Sequence, residues 1–177
     1  MRPRLLALVL AASSATAIAV VHLGAASAGP GAATAPRSQR AAPPAPACPL
    51  PSRYRRAFEE AAQQTALPLP LLVAVARVES RVHQSAESSR GARGILQVLP
   101  STASALGLDP SRARTNVLAG ARYLRQLLKR FQSTDLALAA YNAGPAAVDR
   151  SGGAPSGETM TYVANVTAAW RSLRGCR

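Results

Sequence analysis

The chain has 177 residues and a formal net charge of +13, a length that allows one domain and excludes a large multidomain enzyme. All aromatic residues lie between Tyr54 and Trp170, so only this later part can build a hydrophobic core. Four arginines precede residue 41, which leaves 17 basic against 8 acidic residues, a charge of +9, on the later part. Such an excess favours anionic partners, and nucleic acid, membrane headgroups and cell-wall polymers all qualify.

The first 28 residues are typical of a secretory signal peptide. Arg2 and Arg4 precede an uncharged run over residues 5–23, and residues 26–28 read Ala-Ser-Ala, a small-residue cleavage site. The alternative is an uncleaved anchor helix, because the run is about long enough to span a bilayer. Residues 29–47 are mostly Ala, Pro and Gly, which predicts an extended linker. We therefore expect an exported protein of the cell wall, periplasm or extracellular space, tethered to the membrane only if the signal is retained.

The predicted domain spans residues 48–177 and is bounded by the two cysteines. Cys48 opens it and Cys176 is the penultimate residue. In an exported protein this pair favours a disulfide that joins both ends of the domain. Two unpaired thiols are the alternative.

Helical periodicity runs through this domain and predicts a mainly α fold. The first helix begins near Ser52, and a second one, apolar almost all round, runs from Leu71 to about Ser80. Gly144-Pro145 indicates a helix end, and residues 151–157 indicate a loop. The other predicted helices are a short one from Pro100 to Gly107, a long one ending near Phe131, one from Asp135 to Ala143, and a last one carrying Tyr162 and Leu173. We find no alternating strand pattern and no internal repeat.

The polar face of the long helix is basic. Arg122, Arg125 and Lys129 lie on it without acidic partners four residues further on. Such a face is either simply solvated or in contact with an anionic wall polymer.

Glu79 is the candidate for acid chemistry. It ends the apolar second helix on the same face as Leu72, Val75 and Ala76. Apolar neighbours and the negative helix end disfavour a charged carboxylate, so we expect a raised pKa, as a general acid requires. The alternative is a helix-end glutamate that reaches solvent or pairs with Arg77 or Arg81.

The sequence lacks the residues that metal-dependent, serine-nucleophile and phosphate-binding sites need. His83 is the only histidine beyond the predicted signal, and neither cysteine spacing nor histidine clustering supports a metal site. The sequence has no Gly-x-Ser-x-Gly elbow and no phosphate-binding loop. We expect neither a metal nor a cofactor.

The residues around Glu79 form an ordered set of short motifs, whose members are Glu79-Ser80, Ser88, Gly91-Ala92-x-Gly94, Gln97 with Pro100, Ala140-Tyr141-Asn142-Ala143-Gly144-Pro145, and Glu158-Thr159 with Tyr162-Val163. In order and spacing this set closely resembles the catalytic domain of the soluble-type lytic transglycosylases, relatives of goose-type lysozyme. The resemblance covers about residues 54–166. It implies a single lysozyme-like helical domain with a groove for the glycan strands of peptidoglycan.

The resemblance also implies roles for individual residues. Glu79 matches the family's catalytic glutamate, and Ser88 and Gln97 match residues that contact the sugar beside the cleaved bond. Ser80, which follows Glu79 in the family's Glu-Ser pair, is expected to support the local geometry of the substrate-binding residues. The groove-lining positions are matched by Tyr141, Asn142 and Tyr162.

The implied reaction needs one carboxylate, whereas ordinary glycosidases need two. Glu79 would protonate the glycosidic oxygen between N-acetylmuramic acid and N-acetylglucosamine, and then take a proton from the muramic acid 6-hydroxyl, which leaves a 1,6-anhydro end. The other acidic residues show no obvious pairing with Glu79; they include Glu87, Asp109, Asp135, Asp149 and Glu158.

The sequence departs from the family pattern at two places. Ile95, Leu96, Val98 and Leu99 stand where the family has methionine-rich positions, and they keep the volume. Arg81-Val82 stands where the family favours a small residue followed by an aromatic one. This difference bears on the expected shape of the groove and not on the role of Glu79.

Three other functions compete with a transglycosylase. A muramidase would add water at the same bond, and a non-catalytic wall-binding module would use the groove and charge for adhesion only. A nucleic-acid binder is disfavoured because no recognition motif or aromatic-basic interleaving is present. We expect a monomer that binds peptidoglycan and no nucleic acid.

Overall fold

The computed structural model describes residues 44–177, and within this range the regular structure is helical apart from two isolated bridges. This confirms the predicted mainly α fold. The predicted signal peptide and most of the linker lie outside the described residues. None of the described helices is both long and apolar enough to cross a membrane. The helices are α1 (Ser52–Thr65), α2 (Leu69–Ser80), α3 (Pro100–Ala105), α4 (Ala113–Phe131), α5 (Thr134–Ala143), α6 (Pro145–Ser151) and α7 (Gly157–Ser172).

Helix α2 is the central element, as its all-round apolar sequence predicts. Every residue from Leu71 to Ala76 is buried, and the helix packs against α1 and α7. Pro70 lies in its first turn, where no backbone N–H is needed. Arg81 adopts a left-handed conformation and ends the helix; its N–H donates to the Arg77 carbonyl, and the Val82 N–H donates to the Ala76 carbonyl, both at 3.1 Å. The last turn of α2 therefore presents Glu79 at the edge of the core.

Helix α4 joins the two halves of the core. Its apolar face includes Val117, Ala121 and Leu124, all buried, and it packs against α1 on one side and α5 on the other. The amphipathic pattern of the sequence placed these residues on one face, and the structure confirms that placement.

Helix α6 is not predicted by the sequence pattern. Helix α5 ends at Ala143 as predicted, but Gly144-Pro145 also begins a new helix. Gly144 has a φ of +86°, which lets the chain change direction, and Pro145 takes the first helical position. The same two residues that end one helix therefore begin the next.

The two ends of the domain are joined as predicted. Cys48 and Cys176 form a disulfide across 128 residues. The Cys48 N–H donates to the Arg177 carbonyl at 2.9 Å, and the Arg177 N–H donates to the Pro46 carbonyl at 2.8 Å. These bonds hold chain ends that would otherwise fray.

Candidate active site

A groove opens beside the last turn of α2. One cavity of about 180 Å³ is lined by Glu79, Ser88, Arg90, Ala92, Gln97, Leu99, Tyr141 and Asn142. A second cavity of about 170 Å³ shares Arg90, Gln97, Leu99, Tyr141 and Asn142 with the first, and adds Tyr123 and Thr102. Because they share one wall, the two cavities form a continuous cleft, called the groove below. Five of the predicted site residues line it: Glu79, Ser88, Gln97, Tyr141 and Asn142.

Glu79 is the half-buried acid of the groove. Burial raises its pKa from an ordinary value near 4.5 to about 7, and a hydrogen bond from Tyr162 opposes the rise. The Tyr162 hydroxyl donates to Glu79 Oε1 at 2.6 Å. Among the described residues Glu79 forms no ion pair, so the alternative of a pair with Arg77 or Arg81 is not seen. The expected rise in the pKa of Glu79 is confirmed, and burial is its main cause.

Two tyrosines enclose the acid. Tyr162, on α7, is buried, and burial together with the Glu79 charge raises the pKa of its phenol well above the usual value. Tyr141, on α5, has a pKa raised by the same two causes, and its hydroxyl donates to the Leu96 carbonyl at 2.8 Å. Both phenols therefore stay protonated and act as hydrogen-bond donors at neutral pH.

The loop between α2 and α3 forms the opposite wall. Ser88 N–H donates to the Ala92 carbonyl at 2.9 Å, and Ala92 N–H donates to the Ser88 hydroxyl oxygen at 3.1 Å. Gly91 closes this turn with a φ of +77°. The turn holds Ser88 at the groove while its hydroxyl proton is not used in these bonds.

Gln97 has a strained backbone at the base of the groove. Its φ is +43°, a conformation that costs a non-glycine residue on the order of 1 kcal/mol or more. Its side-chain Nε2 donates to the carbonyls of Ala86 and Gly94, at 3.1 and 2.9 Å. The amide oxygen of Gln97 is the part of the side chain left for a ligand.

Asn116, which no sequence motif singles out, fixes the neighbouring backbone. It is fully buried, accepts from Leu96 N–H at 2.9 Å, and donates to the carbonyl of Arg93 at 2.8 Å. The Leu96 carbonyl is bonded to Tyr141, so both sides of the Leu96 peptide backbone are held. The available signal was a lone amide four residues before Gly120, on the buried face of α4.

Asn142 and Ser80 differ in how they use their polar atoms. Asn142 Oδ1 accepts from the Thr159 hydroxyl at 3.0 Å, which leaves its NH₂ group for the groove that it lines. The Ser80 hydroxyl donates to the Ile95 carbonyl at 2.7 Å and accepts from His83 N–H at 3.1 Å. Ser80 and Tyr162 stand outside the residues that line the groove.

Within residues 44–177, Glu79 is the only carboxylate that lines the groove. Three other acids form ion pairs elsewhere: Glu60 with Arg114, Glu87 with Arg93, and Asp149 with Arg130. The same residues contain no cluster of three or more histidine, cysteine or acidic side chains that could hold a metal ion. The groove thus offers one acid with a pKa of about 7, beside tyrosine, serine and amide side chains.

Comparisons with known proteins agree with one another. The model of the family described as "Transglycosylase SLT domain" matches residues 56–161. The chain is 39% identical over 103 residues to "Membrane-bound lytic murein transglycosylase F 2" of Alkalilimnicola ehrlichii, covering 52% of this chain and 22% of the relative. It is 31% identical over 144 residues to "Putative soluble lytic murein transglycosylase" of Haemophilus influenzae, covering 67% and 24%.

Among solved structures, the fold is similar to an inactive mutant of the lytic transglycosylase Slt from Pseudomonas aeruginosa. The TM-score is 0.61 at 27% identity, over 72% of this chain and 25% of that one. The chain therefore spans about a quarter of the length of the relatives that it matches.

Proposed function

The chain belongs to the transglycosylase SLT domain family, and from this premise we propose that it is a peptidoglycan lytic transglycosylase. Its substrate would be the β-1,4 bond between N-acetylmuramic acid and N-acetylglucosamine, and its product a 1,6-anhydro muramic acid end. The protein would act outside the cytoplasm, in the cell envelope.

The observation that carries this proposal is the state of Glu79. A carboxyl with a pKa of about 7 is protonated in a large fraction of molecules near neutral pH, as a general acid must be. A hydrolase of the usual kind needs a second carboxylate as nucleophile or base. No other acidic residue among residues 44–177 lines the groove, so the arrangement favours a reaction in which one carboxyl does both proton transfers.

In the proposed reaction Glu79 first donates its proton to the glycosidic oxygen. The bond to the muramic acid C1 breaks, and the substrate's own N-acetyl group stabilises the positive centre. The ionised Glu79 then accepts the proton of the muramic acid 6-hydroxyl, whose oxygen bonds to C1. Glu79 is therefore protonated again at the end of the reaction, and no water is consumed.

Other groove residues would hold the substrate for these steps. We assign the free donor of Ser88, the free amide oxygen of Gln97 and the NH₂ of Asn142 to sugar contacts. Tyr162 would bond the ionised form of Glu79, which moderates the rise in its pKa. Tyr141 would act as a packing surface in the groove, since its hydroxyl is bonded to the Leu96 carbonyl.

Mass analysis of the fragments released from purified peptidoglycan tests the proposal. We expect fragments that lack one water relative to hydrolysis products from the wild-type chain, and none from Glu79→Gln. Glu59→Gln is the matched control, because Glu59 is a half-buried glutamate of α1 that does not line the groove. Hydrated ends alone would show a muramidase. Unchanged wall binding without any fragments would show a binding module.

The basic face of α4 supports a second proposal, contact with anionic wall polymers. Arg122, Arg125 and Lys129 line a cavity of about 390 Å³ between α1 and α4, and none of them forms an ion pair with a described residue. Three cations on one cavity wall attract a polyanion in a salt-dependent manner. Replacing all three by glutamate should weaken binding to isolated walls and leave cleavage of soluble glycan unchanged. Equal wall binding would refute this contact.

A further inference from the structure

Arg90 occupies the junction of the two cavities of the groove. It lines both of them, and its side chain is exposed. The ion pairs among the described residues involve other arginines. The side chain of Arg90 forms no hydrogen bond or ion pair with any described residue. A ligand that follows the groove from one cavity to the other therefore passes an uncommitted guanidinium group.

The charges around Arg90 leave it free for an anion. Glu79 is the other group lining these two cavities that ionises near neutral pH, because the tyrosine phenols there have pKa values raised above the usual value; the pKa of Glu79 is set by burial and by Tyr162. Glu87, three residues before Arg90, accepts a long hydrogen bond of 3.4 Å from Arg93. At and below neutral pH the groove is therefore positive where the two cavities meet.

A bare sugar ring offers no partner for this charge. The carboxylates of peptidoglycan lie on the branch at C3 of muramic acid, either as the free lactyl carboxylate or as carboxylates of the attached peptide stem. A guanidinium binds a carboxylate through two parallel N–H bonds, which fixes the orientation of the branch.

Leu99 adds an apolar surface beside Arg90. It lines the same two cavities and is 40% exposed, one of the two large apolar side chains exposed in the described part of the chain. A free lactyl group carries a methyl on the carbon that bears its carboxylate, and a terminal alanine of a stem does the same. A cation next to an exposed leucine matches that combination of methyl and carboxylate.

We propose, on the basis of the proposed function, that Arg90 and Leu99 form a subsite for the muramic acid branch, in which Arg90 binds a carboxylate. The subsite selects glycan strands whose muramic acid branches carry a carboxylate, while Glu79 carries out the bond cleavage. Its ligand is a carboxylate of the branch, from the lactyl group or from the stem.

Binding of soluble glycan fragments tests this subsite separately from catalysis. All variants carry Glu79→Gln, so that the fragments stay intact. Three probes are used: stem-bearing fragments, the same fragments with carboxylates converted to methylamides, and stem-free fragments with free lactyl carboxylates. Arg90→Gln removes the charge and Arg90→Lys retains it. Arg174→Gln is the control, because Arg174 is exposed and outside the groove.

We expect Arg90→Gln to raise the Kd for carboxylate-bearing fragments about fivefold at low salt and to leave the Kd for methylamide fragments unchanged. Arg90→Lys should lose less, and Arg174→Gln nothing. A loss confined to stem-bearing fragments identifies the stem carboxylate, and a loss confined to stem-free fragments identifies the lactyl carboxylate. Equal affinities with and without Arg90, or an equal loss on methylamide fragments, would overturn the subsite. If the wild-type chain cleaves nothing, the proposed activity falls, while Arg90-dependent binding would still establish the subsite.

Discussion

The Tyr162 hydroxyl lies 2.6 Å from Glu79 Oε1 and donates to it, although the two residues are 83 positions apart in the chain. This bond stabilises the ionised carboxylate and so lowers the pKa of Glu79, but burial raises it by more, and the resulting pKa is about 7. Helices α2 and α7 meet at this contact. The bond joins the acid to the last helix of the domain.

Removing this bond should move the pH profile of cleavage. A first step that needs protonated Glu79 keeps its rate below about pH 7 and loses it above. Tyr162→Phe removes a donor to the ionised form, so the pKa of Glu79 rises and the alkaline limb of kcat/KM moves to higher pH, by about one pH unit. Tyr54→Phe, at a tyrosine that does not line the groove, is the control. An unmoved limb would mean that the Tyr162 hydroxyl does not tune the acid.

The ionised carboxyl of Glu79 should also lower the stability of the folded domain at alkaline pH. Its pKa is about 7 in the folded chain and near 4.5 when exposed, so the folded state binds the proton more tightly. Stability from this group is complete below about pH 4.5 and is lost as the pH rises through 7. Glu79→Gln removes the loss, and we expect the variant to be more stable than wild type at pH 8 by roughly 2–3 kcal/mol, and equal at pH 4.

Urea unfolding of both proteins at several pH values measures this difference directly. Glu59→Gln, at a half-buried glutamate of α1 that does not line the groove, is the control for the loss of one carboxyl. A constant difference between wild type and Glu79→Gln from pH 4 to pH 8 would contradict the linkage.

The local pattern of the sequence predicts every helix except α6, because these helices bury an apolar stripe or, in α2, are apolar almost all round. It also predicts a raised pKa for Glu79, because this residue shares a face of α2 with Val75 and Ala76, which are buried. It does not predict Asn116, because its bonds to Leu96 and Arg93 depend on how α4 packs against a distant loop. The role of Tyr162 came from a resemblance to known proteins, and its bond to Glu79 is a tertiary contact that periodicity does not encode.

The disulfide should contribute a large part of the stability of the domain. It closes a loop of 128 residues, for which chain entropy gives about 5 kcal/mol. The double variant Cys48→Ser/Cys176→Ser should therefore unfold at a lower urea concentration, with a loss of about 2–5 kcal/mol. Reduced wild type should behave as the double variant does. A midpoint unchanged by reduction would show that the terminal hydrogen bonds suffice.

Gly120 should be indispensable for the geometry of the groove, although it lies on α4 and lines neither cavity. A Cβ atom at this position would lie 2.6 Å from the Leu96 side chain and 2.7 Å from the Tyr141 hydroxyl. Leu96 is buried and cannot retreat easily, so Gly120→Ala must displace the Tyr141–Leu96 bond and with it the adjacent Gln97. We expect a loss of about 1–3 kcal/mol in stability and a tenfold or larger loss of cleavage rate.

Gly153→Ala is the matched control for this substitution, because a Cβ there meets no atom within 4 Å. Thermal melting and cleavage of soluble glycan fragments measure the two effects. The added Cβ would displace Leu96, which precedes Gln97 in the chain. The cleavage rate should therefore remain low even at temperatures where Gly120→Ala is fully folded. A folded variant with the wild-type rate would show that the groove tolerates movement of Leu96 and Tyr141.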